Sequence, residues 1–337
     1  MKNERYYYSI MEPFEREAYK KIYEGIKAYA LNILITLPLT KEKIEKIYRK
    51  VLFDNPLFFY INQTVIKMRY CPGEFILMPE YIFRINESEA ITRDIRKVVN
   101  KVSTSAQKYS GNEFRLEKYF HDSMVKSIVY DHDALTAKDK YNAFSVVGAF
   151  LDKTAVCEGI AKAFKVLCNE HAIKCIVALG KASPDRIYDE ESYHAWNLVK
   201  INGESYHVDV TWDNRYHDEG AEHISYDYFN LTTSEILIDH QPEDVLPLCT
   251  SEKLNYFTCT DSNVSTFEEL CRLIRNRRHL KMIVFRMLND KGEFSTEEEM
   301  HEKVIYAAER ELEDIIKTGN VKIAFNELHR IGKIKIK

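Results

Sequence analysis

The sequence predicts an α+β protein: a cysteine-bearing helix packed on an antiparallel sheet, with a small α+β domain before it and another after it. Three observations carry this reading. Val156, Ile160, Ala163, Phe164, Leu167 and His171 recur at steps of three and four, the period of a helix. Two runs with period-two alternation, Tyr193 to Lys200 and Ser205 to Thr211, meet across Asn202-Gly203, and a type I′ turn needs positive φ at both central residues. From about residue 246 the chain alternates strand-like and helical stretches. The expected domains are 1–86, 87–245 and 246–337.

In chain order, Pro13 to Tyr29 reads as a helix with Phe14, Ala18, Ile22 and Ile26 on one stripe, and Pro13 suits its first turn. Lys41 to Phe53 reads as a second helix, ended by Asp54-Asn55-Pro56. Leu57 to Ile61, Thr64 to Tyr70 and Phe75 to Met78 read as strands, the last two separated by Pro72-Gly73. Helical patterns follow over Glu87 to Tyr109 and Glu113 to Tyr130, and Tyr141 to Leu151 forms the approach to the cysteine helix, which opens near Thr154 or Ala155. Lys174 to Leu179 is a buried-strand run stopped by Gly180, and the polar segment Lys181 to Ser192 is a loop. Ser225 to Leu231 reads as a strand or short helix, and Asp239-His240-Gln241-Pro242 as a turn at a domain edge. The last part reads β-α-β-α-β-β: Leu254 to Cys259, Phe267 to Asn276, Lys281 to Met287, Thr296 to Lys317, Val321 to Phe325 and Ile331 to Ile336.

Bulk properties exclude several classes. A formal net charge of −4 gives no basic surface for nucleic acid. The greasiest segment, Ala28 to Leu39, is far short of the ~20 apolar residues of a membrane span and holds Pro38. The N-terminus lacks the apolar core of a signal peptide. Seven cysteines with no Cys-x-x-Cys pair indicate neither a disulfide framework nor a zinc ribbon, and a reducing cytoplasm is the simplest home. The stretch His217 to His223 clusters metal-capable side chains but fits no ligand spacing, so it reads as a solvated loop. No metal or cofactor is expected.

The chemistry lies between Cys157 and Asp213. Cys157 falls in the first turn of its helix, where unpaired N–H groups and the positive end of the dipole favour a thiolate. Counting outward from Asn202-Gly203 sets Ile201 opposite Glu204, Trp196 opposite Asp209 and His194 opposite Thr211. His194 and Asp209 are then diagonal neighbours on one face, about 7–8 Å apart at the backbone and within side-chain reach. His207 shares that face and is a competing base if the register differs.

Cys157-Glu158-Gly159 at a helix start, His194-Ala195-Trp196-Asn197, and Asp209-Val210-Thr211-Trp212-Asp213 resemble the three blocks of the transglutaminase-like superfamily, especially its bacterial members. The resemblance covers roughly residues 120 to 235 and departs at Ile160, where relatives commonly carry an aromatic. It implies a papain-like fold with a Cys157-His194-Asp209 triad, and a thiol-dependent acyl transfer that hydrolyses a peptide or amide bond of a protein or peptide substrate. A cross-linking transglutaminase and a non-catalytic scaffold are the alternatives. Candidates for the cleft are Tyr141 and Asn142, which could also supply an oxyanion donor beside the Cys157 N–H, together with Trp196 and Trp212 as walls.

Overall fold

The computed structural model describes residues 5–137, 139–189, 192–214, 223–317, 319 and 321–336. Near the N-terminus, helix Pro13–Lys27 starts with its proline in the first turn and a capping box, the Glu15 side chain reaching back to the Glu12 N–H. Helix Lys41–Asp54 is capped by the Thr40 hydroxyl, which accepts the Lys43 N–H. A three-stranded antiparallel sheet accompanies them in the order Ile33–Ile35, Glu74–Leu77, Met68–Cys71. Two expectations fail here. Leu57 to Ile61 forms turns, with Ile61 alone bridging Tyr81, and the missing strand is Ile33–Ile35. Phe58, Phe59, Tyr60 and Ile61 are all buried, so their apolar run reports core packing rather than sheet pairing.

Helices Ile85–Ala106 and Glu113–Ser127 lead to the cysteine helix, Cys157–Glu170. That helix packs on a five-stranded antiparallel sheet ordered His240–Pro242, Lys174–Ala182, Tyr193–Ile201, Glu204–Val208, Phe229–Leu231. The hairpin has the register counted from Asn202-Gly203: Ile201 pairs with Glu204 and Asn197 with Val208, with φ of 50° and 88° at the two turn residues.

Three local expectations are corrected in this domain. Pairing stops at Val208, and Asp209 instead caps a short helix, Val210–Asp213. Gly180 lies inside its strand; a Cβ there would collide with the Gln241 carbonyl, so glycine marks a close backbone crossing rather than a stop. Only Asp239 of the expected Asp239–Pro242 turn lies in one, since His240–Pro242 is the edge strand crossing at Gly180. Edge strands tolerate a proline that interior strands reject, which is why Pro242 misleads.

The C-terminal sheet runs Asn263–Val264, Met282–Met287, Ile331–Ile336, Val321–Asn326, with helices Phe267–Arg277, Glu297–Glu311 and Glu313–Ile316. The first strand is not Leu254 to Cys259: Tyr256–Cys259 is a helical turn capped by Asn255, and Asn263–Val264 takes the strand's place. Buried apolar side chains from Tyr7 to Cys249 make one continuous core, whereas Val264 to Ile334 make a second. No helix among the described residues is long and apolar enough to cross a membrane.

Candidate active site

Cys157 is the first residue of its helix, with Val156 extended before it. Lys162 and Lys165, on faces that a one-sided amphipathic helix would leave to water, are buried with their neighbours. Lys162 Nζ donates to Gln63 Oε1 at 2.8 Å and pairs with Glu158, partners that a buried amine needs, while Lys165 lies near enough to the buried Asp54 to oppose the rise that burial gives its carboxyl. Gly159 is required by packing: a Cβ would collide with the Ala143 carbonyl, so the Cys-Glu-Gly triplet lets the approach segment press against the helix start.

His194 and Asp209 meet at 2.6 Å, Nε2 to Oδ2, although Asp209 has left the strand. As an N-cap, Asp209 accepts the Thr211 and Trp212 N–H groups on Oδ1 at 2.9 and 3.1 Å, which aims Oδ2 back at the histidine. With Nε2 so engaged, Nδ1 is the ring nitrogen left to face Cys157, whose thiol lies close enough to act on the imidazole. Burial opposes a charged imidazole here, but the Asp209 carboxylate and the Cys157 contact outweigh it and raise the His194 pKa well above its usual value. Burial also opposes the Asp209 charge, and His194 and His240 overcome that, holding the carboxyl well below its usual range.

Sequence reasoning missed two members of this constellation. Tyr130 stands beside Cys157: burial first, and then the Cys157 thiol and Asp209, push its phenol well above the usual range. Tyr130 lies beyond the helix expected to contain it, which ends at Ser127, in a two-residue strand paired with Thr154–Ala155 just before the cysteine. His240 Nε2 approaches the same Asp209 oxygen at 3.1 Å, and its Nδ1 lies 2.6 Å from Asp239 Oδ1. Its one sequence signal, an Asp-His pair, was masked by the nearby proline.

Among the cleft candidates, Tyr141 lines a cavity of about 1060 Å³ that holds Cys157, and Trp212 lines one of about 500 Å³ that holds His194. The first is walled by Arg49, Phe53 and Gln63 from the N-terminal region, the second by Phe325, Asn326 and Leu328 from the C-terminal hairpin. Asn142 is turned elsewhere: its amide donates to Asp152 at 2.9 Å and lines a neighbouring cavity. Trp196 is not a wall, being 1% exposed. Its ring lies 6.2 Å from that of His194, nearly parallel, and its N–H donates to His207 Nδ1 at 3.1 Å. That bond makes His207 an acceptor, and burial and then His240 push its pKa down to about 3, so it is no rival base.

His194, Asp209 and His240 bring possible metal-ligand atoms within 4.8 Å of one another. The 2.6 Å contact is nevertheless shorter than two ligands of one ion can sit at the ~2.0–2.2 Å bond lengths of such sites, and fits a shared proton. Of the stretch His217 to His223, residues 217–222 lie outside the described residues.

Residues 96–210 match the family model of the transglutaminase-like superfamily. Kyphoscoliosis peptidase of Mus musculus is 26% identical over 126 residues, which is 35% of this chain and 19% of that protein. The chain is also similar to a crystal structure of a TGase, at 15% identity, TM-score 0.33, and coverage of 57% of this chain and 52% of that one. A candidate cysteine protease from Cytophaga hutchinsonii gives 16% identity, TM-score 0.26, and coverage of 44% and 61%. The family match spans the helices before the cysteine, the cysteine helix, the histidine strand and Asp209, so it is this part of the chain that is similar to the transglutaminase-like superfamily.

Proposed function

We propose that the protein is a thiol-dependent acyl-transfer enzyme that hydrolyses a peptide or amide bond through Cys157, His194 and Asp209. The observation that carries this is the 2.6 Å contact of His194 with the buried Asp209, beside a helix-start cysteine close enough to act on the same imidazole. Cys157 attacks the carbonyl carbon, its proton passing to His194. The oxyanion takes hydrogen bonds from the Cys157 N–H and the Tyr130 hydroxyl. The C–N bond breaks as His194 protonates the leaving amine, and a thioester remains on Cys157. Water then gives a proton to His194 and attacks the thioester, releasing the acid and returning the thiol. Asp209 steadies the imidazolium in both halves.

The two cavities on either side of the dyad leave room for chain on both sides of a scissile bond, which favours a protein or peptide substrate. The peptidase name carried by the mouse relative supports hydrolysis over cross-linking. A cytoplasmic location follows the same reading.

The test alkylates every cysteine across pH, read by mass spectrometry, in the wild type and in His194→Ala, and then offers casein with and without a primary amine probe. The expected result is fast, His194-dependent alkylation of Cys157 near pH 6 and new peptide termini with little amine incorporated. Amine incorporation exceeding cleavage would point to cross-linking, and a Cys157 no faster than Cys259, which is exposed, would remove the enzyme reading.

A further inference from the structure

Beyond the dyad runs a second set of contacts that hydrolysis of an acyl group does not by itself require. His240 sits between two carboxylates, with Nε2 3.1 Å from Asp209 Oδ2 and Nδ1 2.6 Å from Asp239 Oδ1. Asp239 Oδ2 in turn accepts the Tyr228 hydroxyl at 2.7 Å and His329 Nε2 at 2.8 Å. His329 belongs to the turn between Val321–Asn326 and Ile331–Ile336, in the separately cored C-terminal domain, 90 residues along the chain from Asp239. Asp239 and His240 are buried, and the His240 ring is boxed in by Trp196, Trp212 and Tyr228 at centroid distances of 5.0, 4.6 and 5.7 Å. His207 and Tyr188 are further titratable groups in electrostatic reach of the pair.

We propose that His329 is a positioning residue for the active site: through Asp239 and His240 it fixes the Asp209 carboxylate, and so the angle at which His194 faces Cys157. The proposal rests on the dyad reading above. The physical reason is the saturation of Asp209. Its Oδ1 is pinned by two backbone N–H groups, but Oδ2 is shared by two imidazoles, and His194 keeps its short contact only while His240 is held in place. Asp239 anchors the His240 Nδ1, and His329 of the C-terminal turn anchors Asp239. The same hairpin walls the cavity on the His194 side, so the C-terminal domain both bounds that part of the cleft and sets the geometry of the side chains within it.

The test uses the full chain and iodoacetamide, a neutral probe, to compare alkylation of Cys157 at pH 6 and pH 9 in the wild type, His329→Ala, His329→Gln, His240→Gln and Arg286→Gln. Arg286 makes another ionic contact of the C-terminal domain, to Glu235, and lines neither cavity of the cleft. His329→Ala and His240→Gln are expected to slow Cys157 at pH 6 about tenfold relative to pH 9, a modest share of what a misplaced catalytic group can cost. His329→Gln, which keeps an N–H donor near the Nε2 position, restores the wild-type ratio within about twofold, and Arg286→Gln lowers Tm without changing the ratio. Should His329→Ala fail to fold, Tyr228→Phe removes the other donor to the same oxygen without opening a cavity, and about threefold slowing is expected. Fast, His194-dependent wild-type alkylation with His329→Ala or Tyr228→Phe unchanged overturns this inference alone. A wild type without that His194 dependence overturns the dyad reading and this inference together.

Discussion

The N-terminal region and the C-terminal domain join the cysteine domain in opposite ways. The first is continuous with it: Tyr19, Ile22, Ile47 and Val51 share one apolar core with Phe164, Leu167 and Val199, and the Tyr7 hydroxyl donates to the Val177 carbonyl within the central sheet at 2.8 Å. The second has its own core and makes its specific junction contacts with polar groups: His329 on Asp239, Lys333 and Asn326 on Asp227, and Arg286 on Glu235. An apolar junction is non-directional and sets stability, whereas a junction of hydrogen bonds is directional and can set the angle of a side chain. The cavity on the cysteine side is accordingly walled by a region that the fold needs, and the cavity on the histidine side by a domain that can in principle be loosened on its own.

The sharpest way to break this comparison uses buried cysteines as reporters. Ile22→Ala should cost about 2–5 kcal/mol and speed the alkylation of Cys168 in partial denaturant while leaving Cys271 protected. Phe285→Ala should cost about 3–5 kcal/mol and do the reverse. If both cysteines open together in both variants, the two cores are one cooperative unit.

Next in size is Lys162→Met. It leaves Gln63 Oε1 and Glu158 without their cation, and an expected loss of about 2–3 kcal/mol, read by urea unfolding, would tie the N-terminal region to the cysteine helix through a polar contact as well. A variant as stable as the wild type would assign that junction to apolar packing alone.

The pH dependence of stability should also divide by region. Burial raises the Glu117 carboxyl from 4.5 to about 8, so its contribution is fully present below about pH 4.5 and is lost as pH rises through 8. His121 runs the same way. Burial opposes its charge, Asp122 and Asp213 outweigh that and raise it to about 9, and its contribution is present below 6.5 and lost as pH passes 9. Both belong to helix Glu113–Ser127 in the first core. Cys168 protection should therefore weaken between pH 5 and 9, at up to about 1.4 kcal/mol per unit for each group, with Cys271 following less. Glu117→Gln should flatten the part of the slope below pH 8, and an unchanged slope would show that Glu117 is charged in the folded state.

The smallest effect expected is that of Lys333→Ala. Its contact with Asp227 is only partly buried, and its loss should lower Tm by the equivalent of about 1 kcal/mol or less while Cys168 protection stays as in the wild type.

What the sequence determined by itself was local and periodic. The Asn-Gly turn set the hairpin register to the residue, the helical spacing put Cys157 in a first turn, and the three motif blocks pointed to the superfamily whose model matches residues 96–210. These are legible because turn chemistry and periodicity act over a few residues. Tertiary structure decided the rest. Apolarity at Leu57 to Ile61 signalled burial but not pairing, Gly180 meant a crossing strand, and Asp209 met His194 from a helix cap rather than from a strand. Tyr130, His240, Asp239 and His329 reach the site only because separate elements converge there, and a carboxylate's choice of partner depends on where those elements pack, which no spacing in the chain encodes.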